Sequence, residues 1–75
     1  MNMGENIPLQ ATEASFKDRL QWEKEALDEK ITKLGEFLGS EAYKKIDPVQ
    51  MTLLNIQFQA MGTYGQCLLE RLVRL

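Results

Sequence analysis

Histidine is absent from this chain, cysteine occurs once and proline twice. Without histidine, the commonest general base and the commonest metal ligand are both missing. The single thiol, Cys67, cannot form a disulfide within one chain, and alone it leaves too few soft ligands for a structural zinc site. No nucleophile elbow and no Gly-rich phosphate loop after a strand is present. The residues therefore point away from an enzyme and away from a bound cofactor or metal.

Two further shortages narrow the partners. The chain carries no excess of positive charge, its net charge being −2, so the electropositive face that binds nucleic acid polymers is not available. No apolar run approaches the ~18 residues of a membrane span. The charged-then-apolar order of a secretory signal is also missing at the beginning. A cytoplasmic setting is the expectation. Bulk is in short supply as well, because domains below roughly 70–80 residues usually need a staple or a partner. With disulfide and zinc staples absent, self-association remains.

What the chain does have is helix. Met51, Leu54, Phe58, Met61, Gly65, Leu68, Leu72 and Leu75 recur three and four apart, which draws one apolar stripe along a helix over 48–75. Asp47 is placed to cap that helix, Pro48 suits its first position, and Gln50 completes an Asp-x-x-Gln pattern. Ile46 and Met51 stand at the two positions of a hydrophobic staple.

An earlier helix is expected over about 13–38, beginning near Thr12 or Ser15. Ser15 and Asp18 form a weaker capping pattern, and Leu20, Leu27, Ile31, Leu34 and Leu38 supply the apolar side. Arg19 with Glu23, Lys24 with Asp28 and Glu29 with Lys33 are opposite charges four apart on its outer face. Gly39 is expected to end it in the left-handed conformation. Ser40 then caps a short turn within 40–46. The fold class predicted is all-α: an antiparallel two-helix hairpin over 12–75 with a short connecting helical turn. Residues 1–11 show no periodicity and read as a flexible N-terminal arm.

One hairpin does not use all of this apolar surface. Leu53, Ile56, Ala60 and Cys67 form a second row on the later helix, which Leu69 and Val73 are taken to continue. A single partner helix covers a stripe only about 100° wide or slightly more. The second row is therefore expected to meet another copy, giving a homo-oligomeric helical bundle with Leu53, Ile56, Ala60 and Cys67 at the interface; the alternative is that the earlier helix and the arm wrap both rows. On that row Cys67 is expected to be a buried structural thiol. Gly62 and Gly65 have two readings: close approach of helices at Gly65 with Gly62 indifferent, or a notch that admits a ligand or a neighbour's side chain beside Tyr64.

The cations and aromatics suggest a ligand. Lys44 and Lys45 lie in the connector beside a helix N-terminus, and Arg71 and Arg74 lie near the far end of the same helix. Together with Trp22, Tyr43 or Tyr64 as stacking surfaces, these groups suit a small anion with flat rings, held at a subunit interface. The simpler alternative is that the basic groups complement helix dipoles and the aromatics fill core.

Trp22-Glu23, Leu27, Lys30-Ile31, Lys33-Leu34 and Phe37-Leu38, followed by Leu54, Gln57, Met61, Tyr64, Leu68 and Arg71, resemble a family of very small helical-hairpin proteins of crAss-like and other tailed bacteriophages. The likeness covers about 16–75, and QAMGTYGQCLLERL is its most distinctive part. The resemblance implies a phage accessory protein made in the cytoplasm of the infected bacterium. Its size and architecture are similar to those of phage immune-evasion sponges, which sequester the cyclic nucleotide messengers of CBASS and Thoeris defence without cleaving them. The expected function is thus sequestration of a nucleotide-type immune signal. The alternative is an adaptor that inhibits a host or phage protein through an exposed apolar patch.

Overall fold

The computed structural model describes residues 12–75, with side chains from Ser15 onward. The expected arm over 1–11 lies outside the described residues. All regular structure in the described part is helical: α1 spans Thr12–Leu38, a 3-10 turn spans Ala42–Lys45, and α2 spans Pro48–Val73.

The start of α2 follows from its local chemistry. The amides of Val49 and Gln50 both donate to Asp47 Oδ2, at 2.9 and 3.2 Å, so two of the four orphan donors of the helix are satisfied by one carboxylate. Pro48 occupies the first turn, where it has no amide to leave unpaired. Ser15 plays no comparable role in α1. That helix begins at Thr12, so Ser15 lies almost a full turn inside it and the Ser15–Asp18 box does not mark a boundary.

Helix α1 ends differently from the expectation for Gly39. No glycine among the described residues has a positive φ, so Gly39 is not a left-handed cap. Its amide instead donates to the carbonyls of Gly35 and Glu36, and the Ser40 amide reaches back three residues to Phe37 O at 3.0 Å. The Ser40 hydroxyl donates to the same carbonyl at 2.6 Å and accepts from the Tyr43 amide at 3.3 Å. One serine thus closes the first helix and opens the 3-10 turn, which makes a left-handed residue unnecessary.

The connector is tied to both helices through Tyr43. Its ring meets Phe37 edge-on with centroids 6.0 Å apart, and its hydroxyl donates to Met51 O at 3.4 Å. Asn55 donates to the Tyr43 hydroxyl and, at 2.9 Å, to Met51 O. These contacts fix where α2 leaves the joint.

Leu20, Leu27 and Leu68 form the buried core, with Ile31, Met61 and Leu72 packed against it. Leu68 is fully buried at 0% exposure. Gly65 is buried too, and a Cβ built there would lie 3.5 Å from Ile31 Cδ1 and 3.6 Å from Leu27 Cδ2. Gly35 plays the matching part on α1, where the Phe58 ring sits 3.4 Å from the position of its missing Cβ. Between Leu20 and Leu27 the apolar side of α1 contains Lys24, whose side chain is only 18% exposed and whose amine pairs with Asp28 at 2.7 Å. Lys33 and Glu29 close a second four-apart pair at 3.6 Å, on open surface. Arg19 and Glu23 form no such pair.

Candidate functional site

The stripe that meets α1 does not account for α2. Around a helix, residues turn by about 100° each, so Leu54, Phe58, Met61, Gly65, Leu68 and Leu72 share one side. Val49, Leu53, Ile56, Ala60, Tyr64, Cys67 and Arg71 share another, centred about 120° away. Every residue of this second side is exposed, Ile56 at 59% and Tyr64 at 44%. Cys67 belongs to it and is exposed within the single chain, so its burial rests on a second copy. The cause of the exposure is that α1 is one helix wide and, among the described residues, no further element covers this face.

Leu69 and Val73 do not continue the row. Two residues along a helix are about 200° apart, so Leu69 stands opposite Cys67 across the stripe rather than beside it. Both are exposed, as a small separate patch on the other flank.

The expected ligand groups fall in three places. Lys44 and Lys45 end the 3-10 turn and are exposed, with Lys44 held to Glu41 at 3.3 Å. Tyr64, Arg71 and Arg74 lie along the far half of α2, and Arg74 pairs with Glu70 and also donates to its carbonyl. Trp22 is 63% exposed on the side of α1 turned away from the leucine core, so it does not join the cations of α2 within one chain. Lys45 and Arg71 form no ion pair with an acidic side chain among the described residues. From the start of α2 to Arg71 is about 35 Å at 1.5 Å per residue, so the two basic groups of one chain cannot hold one small ligand together.

Three of the expected residues nevertheless share one surface with the expected interface. Tyr64 and Arg71 lie on the same uncovered side as Leu53, Ile56, Ala60 and Cys67, and Arg74 lies at its edge. Apolar burial and anion recognition are therefore offered by one face rather than two.

The glycines separate clearly. Gly65 is a packing position against Leu27 and Ile31, whereas a Cβ on Gly62 would meet nothing within 4 Å. No notch is cut beside Tyr64 by Gly65, since its open side is filled by α1. Gly35 was not distinguished by sequence reasoning. The signal available for it is its place on the apolar side, four residues after Ile31 and three before Leu38.

Among the described residues, no group of three or more Cys, Asp or Glu side chains could hold a metal ion. No helix of the described part is long and apolar enough to cross a membrane. What the uncovered face presents is cations, an aromatic ring and apolar surface.

No curated protein and no solved structure matches this chain. A family model described as Sequestin matches residues 14–74, which takes in α1 from its third residue, the connector, all of α2 and Arg74 beyond it. The matched region is most of the chain and includes every residue of the uncovered face. On that match the chain belongs to the Sequestin family, whose name describes a sequestering role.

Proposed function

We propose that this protein is a phage counter-defence factor that binds a small anionic, nucleotide-type immune signal and holds it without cleaving it. The working form is a homo-oligomer of antiparallel hairpins in the cytoplasm of the infected bacterium. The observation that carries this reading is the shared face of α2. Its uncovered apolar row is the surface that copies bury, and it bears Tyr64 and Arg71 with Arg74 beside them. The family description supports binding as the role.

The physical logic is capture by charge and stacking. Guanidinium groups make paired, charge-assisted hydrogen bonds to phosphate, and burial at an interface strengthens them by excluding water. An aromatic ring adds a flat surface for a base. No bond in the ligand is made or broken, so a ligand held this way leaves chemically intact.

Purified protein incubated with a panel of cyclic di- and trinucleotides, then denatured by heat, tests this directly. Recovery of an unaltered compound from the denatured sample is the expected result. A changed product means an enzyme. Failure to capture any member of the panel leaves the exposed row to a protein partner, which is the adaptor reading.

A further inference from the structure

We infer that two copies pair through α2, antiparallel about a two-fold axis at Ala60, and that this pairing completes two anion sites. Each site is built from Lys44 and Lys45 of one copy and Arg71 and Arg74 of the other. The identity of the ligand rests on the sequestering reading; the pairing does not.

The uncovered face carries Val49, Leu53, Ile56, Ala60, Tyr64, Cys67 and Arg71, so its steps run four, three, four, four, three, four. That series reads the same from either end, with Ala60 at the centre. Laid antiparallel on its own copy, the face brings Ala60 to Ala60, Ile56 to Tyr64, Leu53 to Cys67 and Val49 to the aliphatic stem of Arg71. The smallest residue falls at the closest approach, and larger residues meet smaller ones on both sides of it. A parallel pair would set Arg71 against Arg71 and align two helix dipoles, both unfavourable. The exposed apolar residues of the face offer on the order of 500 Å² per copy, so a symmetric pair reaches about 1,000 Å², the lower bound of a specific interface.

The ends of the row then acquire a use. With the axis at Ala60, Arg74 of one copy comes level with Ile46 of the other, and Arg71 comes level with Val49, about one helical turn from Lys45. Glu41 and Glu70 are already engaged by Lys44 and Arg74, and Asp47 is turned onto the amides of α2. Lys45 and Arg71 are left without acidic partners among the described residues. Two uncompensated cations at each end suit a nucleotide-derived compound with two phosphate charges. Tyr64 stands two turns from Arg71, about 10 Å along the helix, within reach of the base of such a compound. Neither cluster closes the site alone, because in one chain they are some 35 Å apart.

Mixing separates this arrangement from others. Lys44→Ala/Lys45→Ala and Arg71→Ala/Arg74→Ala should each lose capture of a cyclic dinucleotide by at least tenfold while keeping their helical circular dichroism. Mixed in equal amounts and re-equilibrated, they should recover about a quarter of the unmodified capacity, since half the dimers are mixed and each of those keeps one intact site. No recovery on mixing, with capture intact in the unmodified chain, overturns the composite site but leaves sequestration standing. Absence of capture by the unmodified chain overturns sequestration and the site together. The pairing is read separately by oxidation. Ala60→Cys in a Cys67→Ser background should form a covalent dimer, whereas Cys67 in the unmodified chain should not, because the two thiols lie about 21 Å apart along the axis. The reverse result overturns the antiparallel pairing.

Discussion

α1 and α2 are nearly equal in length, 27 and 26 residues, yet they are made of different material. α1 carries twelve charged residues between Thr12 and Leu38, and α2 carries two, Glu70 and Arg71, between Pro48 and Val73. Both contribute one apolar side to the same small core. Away from that core, α1 presents mainly carboxylates and amines, with Phe16 and Trp22 isolated among them, while α2 presents Val49, Leu53 and Ile56 in one row. The difference teaches that the two helices are composed for different surroundings, one for water and one, on the proposed assembly, for a second protein neighbour. α1 has the composition of a surface helix over most of its outer side, whereas α2 carries an apolar face that α1 does not cover.

The severest way to break that contrast is from within. Leu68→Ala should cost about 2–5 kcal/mol by removing a fully buried side chain, enough to unfold a domain of this size. The loss should appear in thermal melts at any protein concentration. Ile56→Asp should instead act on the second neighbour: the assembly dissociates in light scattering, because an unpaired charge is disfavoured in an apolar contact. The variant's melting temperature should then no longer depend on concentration, as that of the unmodified protein should. A folded, stable monomer of the unmodified chain at micromolar concentration would remove the contrast altogether.

Smaller effects sharpen the comparison at the helix starts. Asp47→Ala should destabilise by roughly 0.5–2 kcal/mol through loss of both amide bonds. Asp18→Ala should cost less, since it lies inside α1 and caps nothing. Thermal melts that ranked the two the other way would show that the joint is not held by Asp47. The slightest change is a gain. Gly62→Ala meets nothing within 4 Å and removes a helix-interior glycine, so it should stabilise by about 1 kcal/mol without changing the oligomeric state.

Much of the architecture is legible in the residues because its signals are local. Asp47-Pro48 carries its own capping chemistry, and a heptad stripe needs only spacing to be seen. What escaped depends on neighbours that spacing does not name. Gly39 looks like a left-handed cap until Ser40 is found closing the helix with its hydroxyl. Leu69 and Val73 look like more of the second row because they are apolar and nearby, but rotation by 100° per residue carries them to the other flank. Lys24 reads as a surface ion pair, since a charged residue at a core position is invisible to a count of apolar ones. Of the proposed ligand groups, the residue types are legible but their grouping is not: Trp22 faces one way and Lys44 and Lys45 stand far from Arg71.

Lys24 has one more effect. Leucines spaced by sevens are interchangeable, so two smooth stripes can shift past each other by a heptad and still bury similar area. With an amine in the seam, the observed alignment leaves it open to water at the edge, whereas a shift by one heptad carries it, with its Asp28 partner on the same helix, toward Ile31's place beside the buried Gly65, where less water reaches it. The shift would move α1 along α2 by about 10 Å. A single lysine thus sacrifices some packing to make the wrong alignment the costlier one, and so keeps every group that depends on the length of the molecule at its appointed height.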